Sequence, residues 1–326
     1  MNRTGRGILT VLIVALLLGS WACGTDDGGG DGVSDWRTDN PVDWTTDTPG
    51  DVPNPDVTPD IPPTDGTDGC DERATWIYLV DNANNLLVFK PTDLSLSVLG
   101  VLNCPAPVLF NPFSMAVDRT ATAWVLFANI TGLGGGGGQL FRVSTTVNPT
   151  CEATGFTPSQ GGLEVFGMGF VSNSPGSEDE TLYVAGGAIL SIGSGTATLA
   201  WIDTSTLVLQ TLGQVPQWPE LTGTGLAELW GYFPESDPPT VQKIDKASGA
   251  TSNPYPIPAL DTGQTLAWAF AFWGGDFYIF HLSEADASTN IWLLDTETSS
   301  ASIVVPNTGY EIVGAGVSTC APVGPI

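Results

Sequence analysis

From residue 70 onward, short β-branched and aromatic runs alternate with clusters of Gly, Pro, Asn, Asp and Ser. No stretch there shows the apolar spacing of an amphipathic helix, so the pattern predicts an all-β domain over 70–326. One theme recurs within it: an apolar strand, a polar turn rich in Thr and Ser, then a second strand. It appears as LVFKPTD from Leu87, LFRVSTT from Leu140, LAWIDTST from Leu199, VQKIDKASG from Val241 and IWLLDTET from Ile291. With positions 90, 144, 203, 245 and 295 as anchors, the intervals are 54, 59, 42 and 50 residues. A second theme precedes most copies, a strand in which small residues interrupt apolar ones. Examples are Ser114–Asp118, Gly167–Val171, Thr224–Glu228 and Ala267–Phe272. Alternation along a strand puts the small residues on one face, which suits a strand crowded round a central axis.

Repeats of this length and content predict a β-propeller of about five four-stranded blades. The phase of the repeat supports closure. The last small-residue strand, Ile312–Val317, has no strands after it, and the first copy, from Trp76, lacks a strand before it. The two chain ends therefore complete one blade between them. Six blades, or a sandwich, fit the same degenerate copies. Over about 250 residues the repeats resemble the gluconolactonase-like and quinoprotein-like propellers. That resemblance implies an architecture and says little about activity, because the fold hosts unrelated functions.

The N-terminal 69 residues follow different patterns. Arg3 and Arg6 precede an apolar run from Ile8 to Leu18, too short to span a bilayer and proportioned like a signal-peptide core. It leads into Gly19-Ser20-Trp21-Ala22-Cys23, which resembles the lipobox of bacterial lipoproteins, with Ser20 standing where that family usually has Leu. The resemblance implies cleavage before Cys23, lipidation of its thiol, and export to the outer membrane, since Gly24 rather than Asp follows. Residues 24–69 hold twelve Asp, one Arg and abundant Pro, Gly and Thr. Such a segment buries too little to offset its ordering entropy, and the interleaved prolines exclude a helix. A disordered acidic tether is expected there, reaching roughly 140 Å if polyproline-like.

Charge narrows the partners. The chain has 35 acids against 9 bases; without Arg3 and Arg6 the balance is 7 − 35 = −28. Nucleic acid is excluded, because phosphate contacts need Lys and Arg clusters. Apart from Cys23 there are four cysteines, Cys70, Cys104, Cys151 and Cys320. An even number in an exported domain suggests two disulfides, with three connectivities open. Cys70 precedes the first strand of the split blade and Cys320 follows its last, so they are expected to pair, leaving Cys104 with Cys151.

Chemistry-bearing residues are sparse. His281 is the only histidine, no Gly-x-Ser-x-Gly elbow exists, and Gly134–Gly138 lack the Lys-Ser or Lys-Thr pair of a phosphate loop. Asp118, Asn173 and Glu228 each end an expected inner strand. In gluconolactonase-like propellers a ring of acidic and amide residues holds a metal, and the resemblance carries a calcium site onto these three. Asp118 equally suits a simple turn. Trp218, Trp230, Trp268 and Trp273 belong to an aromatic-rich stretch that would make a stacking platform if exposed and blade-to-blade core if buried. The expectation is a lipid-anchored propeller acting as a non-enzymatic binding module for a surface protein or glycan; the alternative is a calcium-dependent lactonase.

Overall fold

The alternating runs become twenty strands among the residues that the computed structural model describes, 70–131, 136–193, 195–260 and 263–325. The expected signal peptide, Cys23 and the tether lie outside these residues. The chain opens with β1 (Ile77–Asp81), β2 (Asn85–Lys90) and β3 (Ser95–Val101). A second blade holds β4 (Asn111–Val117), β5 (Thr122–Ala128), β6 (Gln139–Ser144) and β7 (Cys151–Ala153). The third holds β8 (Val165–Ser172), β9 (Glu180–Gly187), β10 (Thr196–Ile202) and β11 (Leu209–Pro216). The fourth holds β12 (Glu220–Gly223), β13 (Leu229–Phe233), β14 (Thr240–Ile244) and β15 (Thr251–Pro256). The fifth holds β16 (Thr265–Trp273), β17 (Asp276–Ser283), β18 (Asn290–Asp295) and β19 (Ser300–Val305).

The last strand, β20 (Ile312–Gly316), pairs with β1 and supplies the inner strand of the first blade, with Tyr78 opposite Gly316 and Leu79 opposite Ala315. The protein is a five-bladed β-propeller of four-stranded antiparallel sheets, closed between its two ends as expected.

The two sequence themes map onto two places in each blade. All five anchor positions fall at the turn between the third and fourth strands. There Asp203, Asp245 and Asp295 accept hydrogen bonds from backbone amides two or three residues on. The small residues let inner strands pack backbone to backbone. A Cβ on Gly169 would lie 3.0 Å from the Cα of Thr222, and one on Gly316 would lie 2.9 Å from the carbonyl carbon of Ala116. Larger side chains fill the wedges between blades. Phe89 meets Tyr278 and Phe280 edge-on at 5.5 and 6.0 Å, and Phe270 stacks on Phe277 at 5.2 Å. Each such ring removed from water contributes roughly 1.5–3 kcal/mol.

One expected strand is misplaced. The inner strand of the fourth blade is β12, whereas Thr224–Glu228 forms the turn after it. The Thr224 hydroxyl accepts the amides of Leu226 and Glu228, and Ala227 has φ of 64°. Small residues serve tight turns as well as crowded strands, and composition alone does not separate the two.

Both expected disulfides form. Cys70 bonds Cys320, with Cα atoms 5.9 Å apart, and Cys104 bonds Cys151, with Cα atoms 5.0 Å apart. Two disulfides fit an oxidising, exported compartment.

Candidate functional site: a blind well on the propeller axis

The five inner strands run in the same direction, so their first residues gather at one end of the axis and their last residues at the other. At the far end the chain closes its own channel. After β20 the C-terminal segment crosses beneath the blades. Thr319 donates to Glu180 of the third blade at 2.8 Å and accepts from Arg119 of the second at 3.3 Å. The amide of Gly274, in the fifth blade, donates to the Pro322 carbonyl at 2.8 Å. A Cβ on Gly225 of the fourth would lie 2.7 Å from the Thr319 carbonyl oxygen. Cys320 is tied covalently to Cys70, just ahead of the first blade. The tail thus touches or is bonded to every blade. Burial pushes the Glu180 carboxyl up to about 7, against the opposing pull of the Arg119 amide and the Thr319 hydroxyl.

The near end is open. A cavity of about 280 Å³ is lined there by strand-start residues of all five blades, among them Asn111, Gly167, Glu220, Ala267 and Val313. Its walls are largely apolar, with Phe113, Trp218 and Trp268 the largest side chains. The rim is apolar too. Val108, Leu109, Ile130, Leu190 and Leu266 are 89%, 66%, 59%, 93% and 52% exposed, five of the seven large apolar side chains that are more than half exposed among the described residues. Leu109, Ile130 and Leu266 line the cavity itself; Val108 adjoins Leu109, and Leu190 stands two residues before the lining Ile192. The Glu164 carboxylate fixes that last loop by accepting the Ile189 amide at 2.8 Å.

Glu220 crosses the bottom of this well. From the start of β12 it reaches past the third blade to the second, where the Ser114 hydroxyl donates to Oε1 at 2.6 Å. The Met168 amide donates to the same oxygen at 3.3 Å. The Leu221 amide of its own strand also faces the carboxyl, and Glu220 lines the cavity. Gly167 makes the crossing possible, since a Cβ there would sit 3.0 Å from Oε2. The residue is 4% exposed, and burial pushes its carboxyl up to about 8, outweighing the Ser114 and Met168 hydrogen bonds. Near neutral pH burial therefore favours the protonated form of this carboxyl.

The residues singled out from sequence are distributed differently. Asp118 and Asn173 follow β4 and β8 at the tail end, and Glu228 immediately precedes β13, one strand further out. Asp118 holds its own turn, accepting the amides of Thr120 and Thr122 and the indole N–H of Trp124, each at 3.0 Å. Asn173 accepts from the Thr181 hydroxyl at 2.7 Å, and Glu228 pairs with Lys243 at 2.6 Å. Among the described residues, no group of three or more His, Cys, Asp and Glu side chains is placed to hold a metal ion.

Trp230 and Trp273 are buried, the first against Tyr255 and Phe277, the second donating its indole N–H to the Thr75 carbonyl. Trp218 and Trp268 do reach the well. His281 is buried on β17 beside the Thr265 hydroxyl, its ring nitrogen at 3.2 Å, and burial lowers its pKa. Glu220 and the apolar rim were missed. The available signal was an acid in the otherwise uncharged run Trp218-Pro219-Glu220-Leu221-Thr222-Gly223, and aliphatic residues in the open-end loops of the second, third and fifth blades.

No protein-family model and no curated protein matches the chain. Solved propeller structures do align with it. TolB from Acinetobacter baumannii aligns with a TM-score of 0.41 and 12% identity over 71% of this chain, which spans about half (52%) of the TolB chain. A chain of the nidogen/laminin complex aligns at 0.44 and 9% identity, covering 74% of this chain and 97% of that one. A luciferin-regenerating enzyme aligns at 0.39 and 14%, covering 76% of each. The likeness is one of fold.

Proposed function

We propose that this protein is a lipid-anchored cell-envelope protein whose propeller is a non-enzymatic binding module, docking a partner protein at the open end of its axis. One observation carries the reading: the apolar well is bordered by exposed aliphatic side chains of the second, third and fifth blades, while the opposite end is closed by the chain's own tail. Exposed apolar patches of this kind mark interaction sites. An aliphatic rim favours a protein over a glycan, because sugar stacking needs flat exposed aromatics: Trp218, Trp230 and Trp273 are buried and Trp268 is only partly exposed. Lipidation at Cys23 and the acidic tether would hold the module away from the membrane surface. His281, the one histidine, is buried inside the fifth blade beside the Thr265 hydroxyl.

The test is site-specific photocrosslinking in intact cells expressing the full chain. A crosslinker at Leu109 or Leu266 is expected to trap a discrete protein adduct, while one at Leu226, an exposed position in a tail-end turn, traps none. Equal adducts from both ends, or none from the rim, would overturn the docking reading. A Cys23→Ala form recovered in the membrane fraction as fully as the wild type would overturn the anchor.

A further inference from the structure

The docking reading leaves one feature unused: an almost fully buried carboxyl at the bottom of an apolar well. We propose that the well is a site for a primary ammonium group carried on an apolar stem, with Glu220 as its counter-ion and the walls enclosing the stem. This inference rests on the well being the binding end of the propeller, and it adds the chemistry of what enters.

Three observations point the same way. First, among the described residues the ionisable side chains lining the cavity are the acids Glu220 and Glu311, with no Lys, Arg or His. A low-dielectric cleft lined by acids favours a cation over an anion, and Glu220 meets a cation by giving up its proton. Second, the Ser114 and Met168 hydrogen bonds on Glu220 both fall on Oε1, and only the Leu221 amide of its own strand is added to them, so Oε2 has acceptor capacity for a ligand. The ammonium has three donors, and the Ser114 hydroxyl keeps Glu220 pointed across the axis while one of them meets Oε2. Third, the wall above that oxygen is hydrocarbon: Phe113, Ile192, Trp218, Leu266, Trp268 and Val313. A cavity of about 280 Å³ has room for a single side-chain-sized stem and little more.

The groups facing Glu220 set its proton balance. They are the Ser114 hydroxyl from β4, the Met168 amide from β8 and the Leu221 amide of its own strand, with Glu311 the other acid on the wall. In the empty well the carboxyl keeps its proton near neutral pH. Arrival of an ammonium ionises it, so the proton leaves to bulk solvent while the ligand keeps its own three. Binding is then coupled to the release of nearly one proton at pH 7.

The measurement is isothermal titration of the full chain with n-hexylammonium, with n-hexanol as the uncharged control, in buffers of different ionisation heat. Hexylammonium is expected to bind at least tenfold more tightly than hexanol, with nearly one proton released at pH 7 and little at pH 9. Glu220→Gln should weaken hexylammonium at least tenfold and leave hexanol unchanged. Equal binding of the two probes, no binding of either, or an unaltered affinity for hexylammonium in Glu220→Gln would each overturn the proposal. A capped Leu-Lys-Leu peptide separates the sources of the ammonium: tighter binding than hexylammonium indicates a partner's lysine, weaker binding a free amine. Rim crosslinking that persists in Glu220→Gln while the titration shows nothing would sink the ammonium site and leave the docking surface standing.

Discussion

The two ends of the propeller axis are built on opposite plans. The tail end is finished internally, by a covalent bond from Cys320 to Cys70 and by Arg119, Glu180 and Thr319, which bond to one another. The open end leaves large aliphatic side chains in water and a buried acid, Glu220, on the cavity wall. A buried acid and exposed apolar surface both cost free energy in a molecule that stands alone. The contrast therefore separates what holds the ring shut from what is left for another molecule.

The comparison is broken most severely at the tail. Replacing both Cys70 and Cys320 by Ser opens a 250-residue closure. Such a loss is expected to cost about 2–5 kcal/mol in urea unfolding of the full chain. The matching double substitution at Cys104 and Cys151 opens a loop of 47 residues. On chain-entropy grounds its cost should be smaller by roughly 1.5 kcal/mol. If the shorter loop proves the costlier to open, the tail bond is not what secures the ring.

A smaller effect distinguishes the ends by pH. Glu180 and Glu220 both have carboxyl pKa values raised by burial, to about 7 and about 8. A raised carboxyl keeps in the fold a proton that the unfolded chain has already released, so its contribution is full below about pH 4.5 and is lost as pH rises through the folded value. Unfolding free energy should fall between pH 5 and 8 by roughly a kcal/mol per pH unit for each group. Glu180→Gln should remove the part of the slope that ends near 7, and Glu220→Gln the part that ends near 8. A wild-type profile flat across this window would mean that both carboxyls are ionised in the folded protein.

The smallest effects lie at the surface of each end. Leu266→Asp, on the exposed rim, should change stability by no more than about 0.5 kcal/mol. Val323→Asp puts a charge into a tail residue that packs against the core between the fourth and fifth blades, and should cost at least about 1 kcal/mol. Equal costs at the two positions, in thermal or urea unfolding, would erase the distinction between a sealed end and an exposed one.

Much of the fold was legible because it is local and repeated. A Thr- and Ser-rich turn after an apolar strand, as at Asp203 and Asp245, needs only neighbouring residues to form, so it leaves the same trace in every copy. The small-residue strands were legible for the same reason at Gly167–Val171 and Ala267–Phe272. They failed at Thr224–Glu228, where a tight turn uses the same residue types. The disulfides followed from the phase of the repeat, since closure brings Cys70 and Cys320 to one place. The candidate site was not legible. Asp118 and Glu228 look like ligands in the sequence, but their carboxylates are engaged by Trp124 and by Lys243 within their own blades.

By itself, then, the sequence determined the all-β class, most of the strands, the route of closure and the Cys70–Cys320 pairing that follows from it, because each depends on short-range patterning or on where the repeat begins and ends. The count of five blades, rather than six, was settled by the sheets themselves. Only the tertiary structure decided which end of the axis is sealed, and that Glu220 crosses it. Those depend on residues as far apart as Ser114 and Glu220, or Glu180 and Thr319, meeting at the centre of a closed ring. No local pattern encodes such a meeting, because the ring has to close before those side chains share a neighbourhood.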